Sequence, residues 1–197
     1  MTVPSRTEAA SLLLSLNPPA WHVRHSRAVA EVAGWLAARI AERGTPIDRR
    51  LIEAAALLHD VDKILPATDP ARRLPHGEGS AAWVVRHDAA ELGEAIAGHP
   101  VTRLAGPGGE RWLAEASIEA RVVSYADKRA AKRLGPMSAR FARWARRRPR
   151  GWSDPGGTAR ARADRLEREV CELAGIEPGA VRRLRWVDDA ITRARRP

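Results

Sequence analysis

The chain has 197 residues, of which 44% are hydrophobic, and a formal net charge of +10. This length suits one domain that buries a core without disulfides, and the single cysteine, Cys171, cannot form a disulfide within the chain, which favours a reducing compartment. The apolar run near the N-terminus, "SLLLSL", is too short for a membrane span and lacks the basic lead and cleavage site of a signal peptide, so we expect a soluble, cytoplasmic protein with no membrane partner.

Apolar residues recur at three- and four-residue steps along most of the chain, which is typical of helices. The pattern predicts helical segments within residues 7–16, 21–41, 45–60, 77–87, 89–98, 110–133, 137–147, 158–174 and 178–194. A loop containing prolines and arginines is predicted over residues 64–75. No strand pattern of useful length and no internal repeat occurs, so the sequence predicts an all-α fold.

The positive charge is uneven, because arginines crowd the C-terminal half, for example in "RFARWARRRPR" (140–150). A basic surface favours anionic partners such as phosphates or nucleic acid. The alternative is that these arginines lie on solvated helix faces of an Ala- and Arg-rich chain. No ladder of aromatic residues is interleaved with them in the way that single-strand binders use, so nucleic acid is not the favoured partner.

Polar residues interrupt the apolar stripes of three predicted helices. His25 and Asp127 fall on the buried faces of their helices, and His59 and Asp60 end the apolar run "AAALL". Each residue alone has a structural explanation, because a lone histidine on an apolar face is more often a hydrogen-bonded core residue than a ligand. A buried carboxylate, however, must be paired, hydrogen-bonded or bound to a metal, and one cation would satisfy both His25 and Asp127.

The order His25, His59-Asp60, Asp127 resembles that of the HD superfamily of metal-dependent phosphohydrolases. "LLHDVDK" is similar to the family's "LLHDIGK" box, and "HSRAV" and "SYADKRA" resemble its first and closing segments, over roughly residues 20 to 135. "HGEGSAA" and "AIAGHP" add His76 and His99, which resemble the extra histidines of members with two metals. The segments also resemble a small HDIG-related bacterial group that includes a diadenosine tetraphosphate hydrolase. Asp62 replaces the glycine of HDIG, and "HP" replaces the "HT" common in that group, which leaves the substrate open.

This resemblance implies an HD-domain helical bundle with additional C-terminal helices and a binuclear metal site. His25, His59, Asp60 and Asp127 would bind one metal, and Asp60 would bridge to a second held by His76 and His99. Such imidazole and carboxylate ligands suit divalent iron, manganese, zinc or nickel. The metals would generate the attacking hydroxide and draw charge from the phosphate, with Asp60 and Lys63 as catalytic residues.

Basic residues near the two acidic motifs are candidates for binding the substrate phosphate. Lys63 follows His59 by four residues and would share its helix face if the helix continues that far. The weaker candidates are Arg72, Arg73, Arg129 and Arg133. Trp21 and Trp83 are close enough to ligands in sequence to wall the pocket, although core packing is the better interpretation.

We divide the chain into a metal-binding helical core, residues 1–136, and an Arg-rich C-terminal helical extension, residues 137–197, which packs on the core to form a single domain overall. The extension could cap the cleft, carry the basic surface or mediate a homodimer through Trp144 or Trp186.

The main functional hypothesis is a metal-dependent phosphohydrolase acting on a small phosphorylated compound, in particular a nucleotide or dinucleoside polyphosphate. Two alternatives remain open: a di-iron oxygenase with the same ligand set, and a non-enzymatic module that binds a nucleotide or nucleic acid.

Overall fold

The computed structural model describes residues 3–130, 134–147, 154, 157–184 and 190–195. Over these residues the chain forms α-helices and short 3-10 helices and contains no β-strand, which confirms the predicted all-α fold. In the same part of the chain, no helix is long and apolar enough to cross a membrane.

The α-helices are α1 (Arg6–Ser15), α2 (Ala20–Glu42), α3 (Arg49–Leu58), α4 (Glu78–Val85), α5 (Gly93–Ala97), α6 (Val101–Ala105), α7 (Gly109–Glu115), α8 (Ile118–Arg129), α9 (Met137–Arg147), α10 (Thr158–Ala174) and α11 (Ala190–Ala194). Short 3-10 helices lie at Val61–Lys63, Pro70–Arg73, Ala90–Leu92 and Pro178–Arg183.

Local capping residues explain where several helices begin. Ser5 and Glu8 form a reciprocal capping box at the start of α1, and Asp48 accepts a hydrogen bond from the backbone N–H of Leu51 at the start of α3. These side chains satisfy backbone N–H groups that have no partner within the helix.

The core is built around α2, α3, α5 and α8. The apolar stripe of α2 is fully buried at Val29, Val32, Leu36 and Ile40, and α2 packs against α3 and α8. The alanines 54–56 of α3 are also fully buried, and their small side chains allow α3 to pack closely against its neighbours. This packing holds the C-terminal end of α3 in the centre of the bundle.

The C-terminal helices pack on this core. α10 contacts α2, α6, α7 and α8, and buries Ala159, Ala163, Leu166 and Val170. α9 contacts α8 and α10, and α11 contacts α1. The division into a core and an extension that fold as one domain stays a prediction, for which a test is given below.

The predicted helix over 110–133 differs from the structure, which has two helices there. α7 ends at Glu115, and Ser117 adopts an extended conformation from which its hydroxyl caps α8 by accepting from the N–H of Ala120. The apolar periodicity continues across the break, so it does not reveal the turn, whereas the serine is a recognisable helix start. The short α6 was not predicted.

The predicted helix over 178–194 is also interrupted. Residues 178–183 form a 3-10 helix, α11 begins at residue 190, and residues 185–189 lie outside the described part of the chain.

Candidate metal centre

Five elements of the bundle bring the six candidate metal-ligand side chains together. His25 lies on α2, His59 and Asp60 directly follow α3, His76 precedes α4, His99 follows α5, and Asp127 lies on α8. α3 stops at Leu58, and the chain turns into a 3-10 helix at Val61–Lys63, which leaves the histidine and aspartate at the buried end of the helix.

The first cluster consists of His25, His59, Asp60 and Asp127. The Nε2 atom of His25 lies 3.2 Å from Nε2 of His59, 3.3 Å from Oδ2 of Asp60 and 3.3 Å from Oδ1 of Asp127. The Nε2 atom of His59 lies 3.6 Å from the same Asp60 oxygen and 3.8 Å from the same Asp127 oxygen. Each of the two imidazole nitrogens therefore lies within 3.8 Å of an oxygen of both carboxylates.

The second cluster consists of His76, His99 and the other oxygen of Asp60. The Nε2 atoms of the two histidines are 3.2 Å apart, and each lies 3.3 Å from Oδ1 of Asp60. Asp60 thus faces one cluster with Oδ2 and the other with Oδ1, in the arrangement of a carboxylate that bridges two metal ions.

The spacing of these atoms fits bound divalent cations. Ligand atoms about 2.1 Å from a shared ion lie about 3.0 Å apart in an octahedron and about 3.4 Å apart in a tetrahedron. Within the described residues, Oδ1 of Asp60 is buried without any hydrogen bond of acceptable geometry, although two imidazole nitrogens face it. A buried, unsatisfied carboxylate oxygen is costly, and a metal ion between it and the two nitrogens would satisfy all three atoms.

Backbone carbonyls orient the two buried histidines. The Nδ1 atom of His59 lies 2.7 Å from the carbonyl oxygen of Ala56, and that of His99 lies 2.6 Å from the carbonyl oxygen of Ile96. A carbonyl oxygen can only accept, so each Nδ1 carries the proton and each Nε2 presents its lone pair to the cluster.

Burial keeps these two histidines neutral. It lowers the pKa of His59 to about 3, against the weaker opposing effect of the Asp60 charge. The pKa of His99 is lowered for the same reason. Neutral imidazoles are the form that binds metals, so both residues are ready to act as ligands at neutral pH.

The two carboxylates remain ionised although they are buried. Burial raises the pKa of Asp60, but the ammonium charge of Lys63 and the hydrogen bond from His25 act in the opposite direction, and this pKa is held well below its ordinary value. For Asp127, the neighbouring Arg140 and His25 outweigh burial in the same direction. In the metal-free protein, these two carboxylates also outweigh burial at His25 and raise its pKa to about 9.

Lys63 contacts the centre from a different element than expected. Lys63 was predicted to share a helix face with His59 if α3 continued to residue 63. Instead α3 ends at Leu58, and Lys63 lies in the 3-10 helix that follows. Its Nζ atom donates to Oδ2 of Asp60 over 2.7 Å, and its side chain remains 42% exposed. Lys63 therefore pairs with a candidate ligand while part of its side chain stays in contact with solvent.

Arg129, one of the predicted phosphate-binding arginines, forms hydrogen bonds within the protein. Arg129 is buried and donates to Tyr125, to Glu167 and to the carbonyl oxygens of Gly135 and Pro178. We therefore assign Arg129 a structural role, which corrects the sequence-based expectation.

Arg72 and Arg73, in the loop after the candidate ligands His59 and Asp60, differ in their hydrogen bonds. One nitrogen of Arg72 donates to three backbone carbonyl oxygens, of Asp62, Lys63 and Leu65, so this side chain also supports the loop rather than a substrate. Arg73 is exposed on the same 3-10 helix. Arg133 lies outside the described residues.

The structure adds Arg140, which sequence reasoning missed. Its guanidinium lies 3.2 Å from Oδ1 of Asp127 and packs over the ring of Trp144. The side chain is 16% exposed. Arg140 is one of many arginines in its segment, and no local pattern distinguishes it, because its position depends on how α9 packs against α8.

Histidine and tryptophan residues near the candidate ligands differ in burial. His22 is buried and bonds to the backbone carbonyl oxygen of Asp60 at 3.0 Å, so it supports the centre and does not lie on the surface. Trp83 is buried and stacks on His87, in agreement with core packing. Trp21 is 51% exposed, so core packing was the wrong interpretation for this residue. Trp144 contacts Phe141, and Trp186 lies outside the described residues, so a dimer through these tryptophans stays a prediction.

Comparison with known proteins identifies one family. The family model described as "HD domain" matches residues 23–132, which is more than half of the chain and includes all six ligand-type residues. Neither the curated proteins nor the solved structures contain a significant match to the chain.

Proposed function

Because the chain belongs to the HD domain family, whose members are typically metal-dependent hydrolases, we propose that it is a phosphohydrolase with a binuclear metal centre. The observation that supports this proposal best is the orientation of Asp60, whose two oxygens face two separate groups of ligands. A single structural ion would need only one of these groups.

The proposed ligands divide between two ions. His25, His59, Asp60 and Asp127 would hold the first ion, and Asp60, His76 and His99 would hold the second. When bound, divalent ions supply Lewis-acid chemistry: they lower the pKa of water and withdraw charge from phosphate oxygens. The nitrogen and oxygen ligand set suits iron, manganese, zinc or nickel.

We assign recognition of the phosphate to Lys63 and Arg140. Both cationic groups lie against carboxylate oxygens of the centre, and the side chain of Lys63 is 42% exposed. Cations bound to Asp60 and Asp127 would take over the neutralisation of these carboxylates. The ammonium and guanidinium groups could then bind phosphate oxygens and orient the scissile bond.

The proposed substrate is a small phosphorylated compound, and nucleotides and dinucleoside polyphosphates are the classes to test first. This choice rests on the phosphate-binding chemistry of the two cationic residues and on the sequence resemblance to HDIG-related hydrolases.

The decisive experiment combines metal analysis with a substrate panel. Element-resolved analysis of the purified protein should find two transition-metal ions per chain. The protein loaded with that metal should then release phosphate or a nucleotide from at least one member of a panel of nucleotides, dinucleoside polyphosphates and phosphomonoesters. The Asp60→Asn variant is the control, and absence of hydrolysis across the panel in the fully loaded protein would contradict the proposal.

The same ligand atoms also suit two iron ions, which keeps the oxygenase alternative in the experiment. An oxygenase would contain iron and consume oxygen only when its substrate is present. Full activity of a zinc- or manganese-loaded protein without oxygen would exclude this chemistry.

A nucleic-acid-binding module would behave differently from either enzyme. Its binding to RNA or DNA would depend on salt and would be unchanged when His59 and Asp60 are replaced by alanine.

A further inference from the structure

Asp62 contacts a candidate metal ligand. Its two carboxylate oxygens lie 3.1 and 2.9 Å from Nδ1 of His76, and Oδ2 also accepts the backbone N–H of Gly77 over 2.8 Å. The Nε2 atom of the same imidazole is the one that faces Asp60 and His99. Asp62 therefore holds the side of His76 that points away from the second cluster.

The segment from 76 to 80 is shaped around this aspartate. The hydroxyl of Ser80 accepts the backbone N–H of Asp62 over 3.0 Å. Gly79 has no room for a side chain, because an added Cβ would lie 2.4 Å from the carbonyl oxygen of Ala71 and 3.0 Å from Cβ of Asp62. Gly77 has a φ of +87°, which favours glycine and turns the chain from His76 into α4. The segment "HGEGS" thus supplies contacts or close approach to Asp62 at four of its five positions.

His76 is the ligand that most needs such support. The Nδ1 atoms of His59 and His99 bond to carbonyl oxygens of their own helices, and both side chains are buried. The side chain of His76 is 37% exposed and lies in a loop. An exposed imidazole on a loop can rotate, and rotation would remove Nε2 from the cluster.

A carboxylate that accepts the Nδ1 proton strengthens the imidazole as a metal ligand more than a carbonyl oxygen does. It accepts the Nδ1 proton, which fixes the tautomer with the lone pair on Nε2, and its negative charge makes that lone pair a stronger metal donor. Loss of such a partner typically costs about 10- to 100-fold in metal affinity.

We propose that Asp62 is the positioning residue of the second metal site, where it fixes the tautomer and orientation of His76 through the Nδ1 hydrogen bond. The inference rests on the binuclear centre proposed above. The inference also gives a role to Asp62, which stands in "HDVDK" where HDIG has a glycine.

The test uses two variants of Asp62 and one matched control. Asp62→Asn keeps the shape but leaves one acceptor oxygen, which would have to serve both His76 and Gly77, while Asp62→Ala removes both acceptors. Asp69→Asn is the control, since Asp69 also accepts a backbone N–H, from Ala71, and pairs with Arg86 without contacting any ligand. The metal-free full-length proteins are titrated with Zn²⁺, and the histidine tautomers of the zinc-loaded proteins are read from 15N NMR spectra.

The wild-type protein and Asp69→Asn should bind two equivalents of Zn²⁺, with His76 protonated at Nδ1. Both Asp62 variants should lose about 10- to 100-fold in affinity for one equivalent and retain the other, and the His76 tautomer signal should change or broaden. If Asp62→Ala does not fold, Asp62→Asn alone provides the comparison.

The possible failures can be distinguished. In one outcome, the wild-type protein binds two equivalents of Zn²⁺, and a folded Asp62 variant shows unchanged affinities and an unchanged His76 signal. This outcome would overturn only the role of Asp62. A single equivalent in the wild type would overturn the binuclear centre and, with it, the role of Asp62. An equal loss of both equivalents would show a general structural effect and would also overturn the proposal.

Discussion

Asp60 and Asp127 are both buried carboxylates of the candidate metal centre, yet they face different numbers of imidazole groups. Both oxygens of Asp60 face imidazole nitrogens, whereas Oδ1 of Asp127 faces the first cluster and Arg140. The two residues should therefore differ in the number of ions that depend on them.

The first prediction compares the two carboxylates by substitution. Asp60→Asn should weaken the binding of both metal ions, and Asp127→Asn should weaken only one. The loss of a direct ligand should exceed the roughly 10- to 100-fold loss that is typical for a supporting residue. The measurement is metal stoichiometry after dialysis against a weak chelator. Loss of a single ion in Asp60→Asn would contradict the shared role of this carboxylate.

The second prediction concerns Arg140 as a phosphate contact. Arg140→Ala should lower kcat/KM by about 10- to 100-fold, which corresponds to a charge-assisted hydrogen bond of about 1.5 to 3 kcal/mol. Metal affinity should not fall, since the guanidinium competes with the cation for Asp127. Arg165→Ala serves as the control, since Arg165 of α10 pairs with Glu110 and Glu169. Weakened metal binding with an unchanged kcat/KM would instead indicate a purely structural role.

The third prediction is a maximum in the stability of the metal-free protein near pH 6.5. The pKa of His59 is about 3 in the folded protein and 6.5 as its ordinary value, so the unfolded chain binds the extra proton as the pH falls below 6.5, and stability decreases. The pKa of His25 is raised to about 9, so the folded protein binds the extra proton between pH 6.5 and 9, and stability decreases as the pH rises through this range.

Urea unfolding in the presence of a chelator, at several pH values, tests these two effects separately. His59→Gln should flatten the acidic side of the curve and His25→Gln the alkaline side. Unchanged curves in both variants would show that other groups determine the pH dependence.

At the scale of elements, α8 joins the candidate metal centre to the C-terminal helices. Asp127 contributes to the centre, while Tyr125 and Arg129 bond to Glu167 of α10. Arg129 also reaches the carbonyl oxygens of Gly135 and Pro178, which lie on either side of α9 and α10 in the chain. One helix thus orients a ligand and anchors the segments that follow it.

The fourth prediction measures this anchor. Arg129→Met should lower the free energy of unfolding by about 3 to 5 kcal/mol, because it leaves Glu167 and two carbonyl groups without their buried partner. Arg165→Met removes a partly exposed arginine that pairs with Glu110 and Glu169, and should cost at most about 1 kcal/mol. Equal effects of the two substitutions on chemical denaturation would contradict the structural role of Arg129.

At the scale of the whole molecule, the core and the C-terminal helices share a buried interface. The apolar face of α10 is covered by α2, α6, α7 and α8, and the ion pair between Arg129 and Glu167 crosses the same interface. Removal of the C-terminal helices would expose apolar surface of the core and deprive Arg129 of Glu167 and of the carbonyl oxygen of Pro178.

The fifth prediction follows from this interface. A chain that ends at residue 136 should lose its cooperative thermal transition and bind a hydrophobic dye, whereas the full chain should unfold in a single transition. Circular dichroism, dye fluorescence and limited proteolysis make the comparison. A truncated protein that unfolds cooperatively and binds two metal ions would show that residues 1–136 form an independent domain.

The local pattern of the sequence was sufficient for the fold class and for most helix positions. Apolar spacing and capping residues act over one or two turns, so α1, α2 and α10 could be predicted to within a few residues. The break at Ser117 was missed because apolar spacing is the same on both sides of it, and the short α6 lies between Pro100 and Gly106, where no periodic pattern can develop.

The residue types and order of the six candidate ligands were also visible in the sequence, since charged and imidazole groups interrupt apolar stripes. Only the tertiary structure decided that the oxygens of Asp60 face opposite clusters, that Asp62 holds His76, that Arg140 reaches Asp127, and that Arg129 is buried against α10. These relations join residues from different helices and loops. They depend on how the elements pack, and a pattern confined to one helix contains no information about the helix beside it.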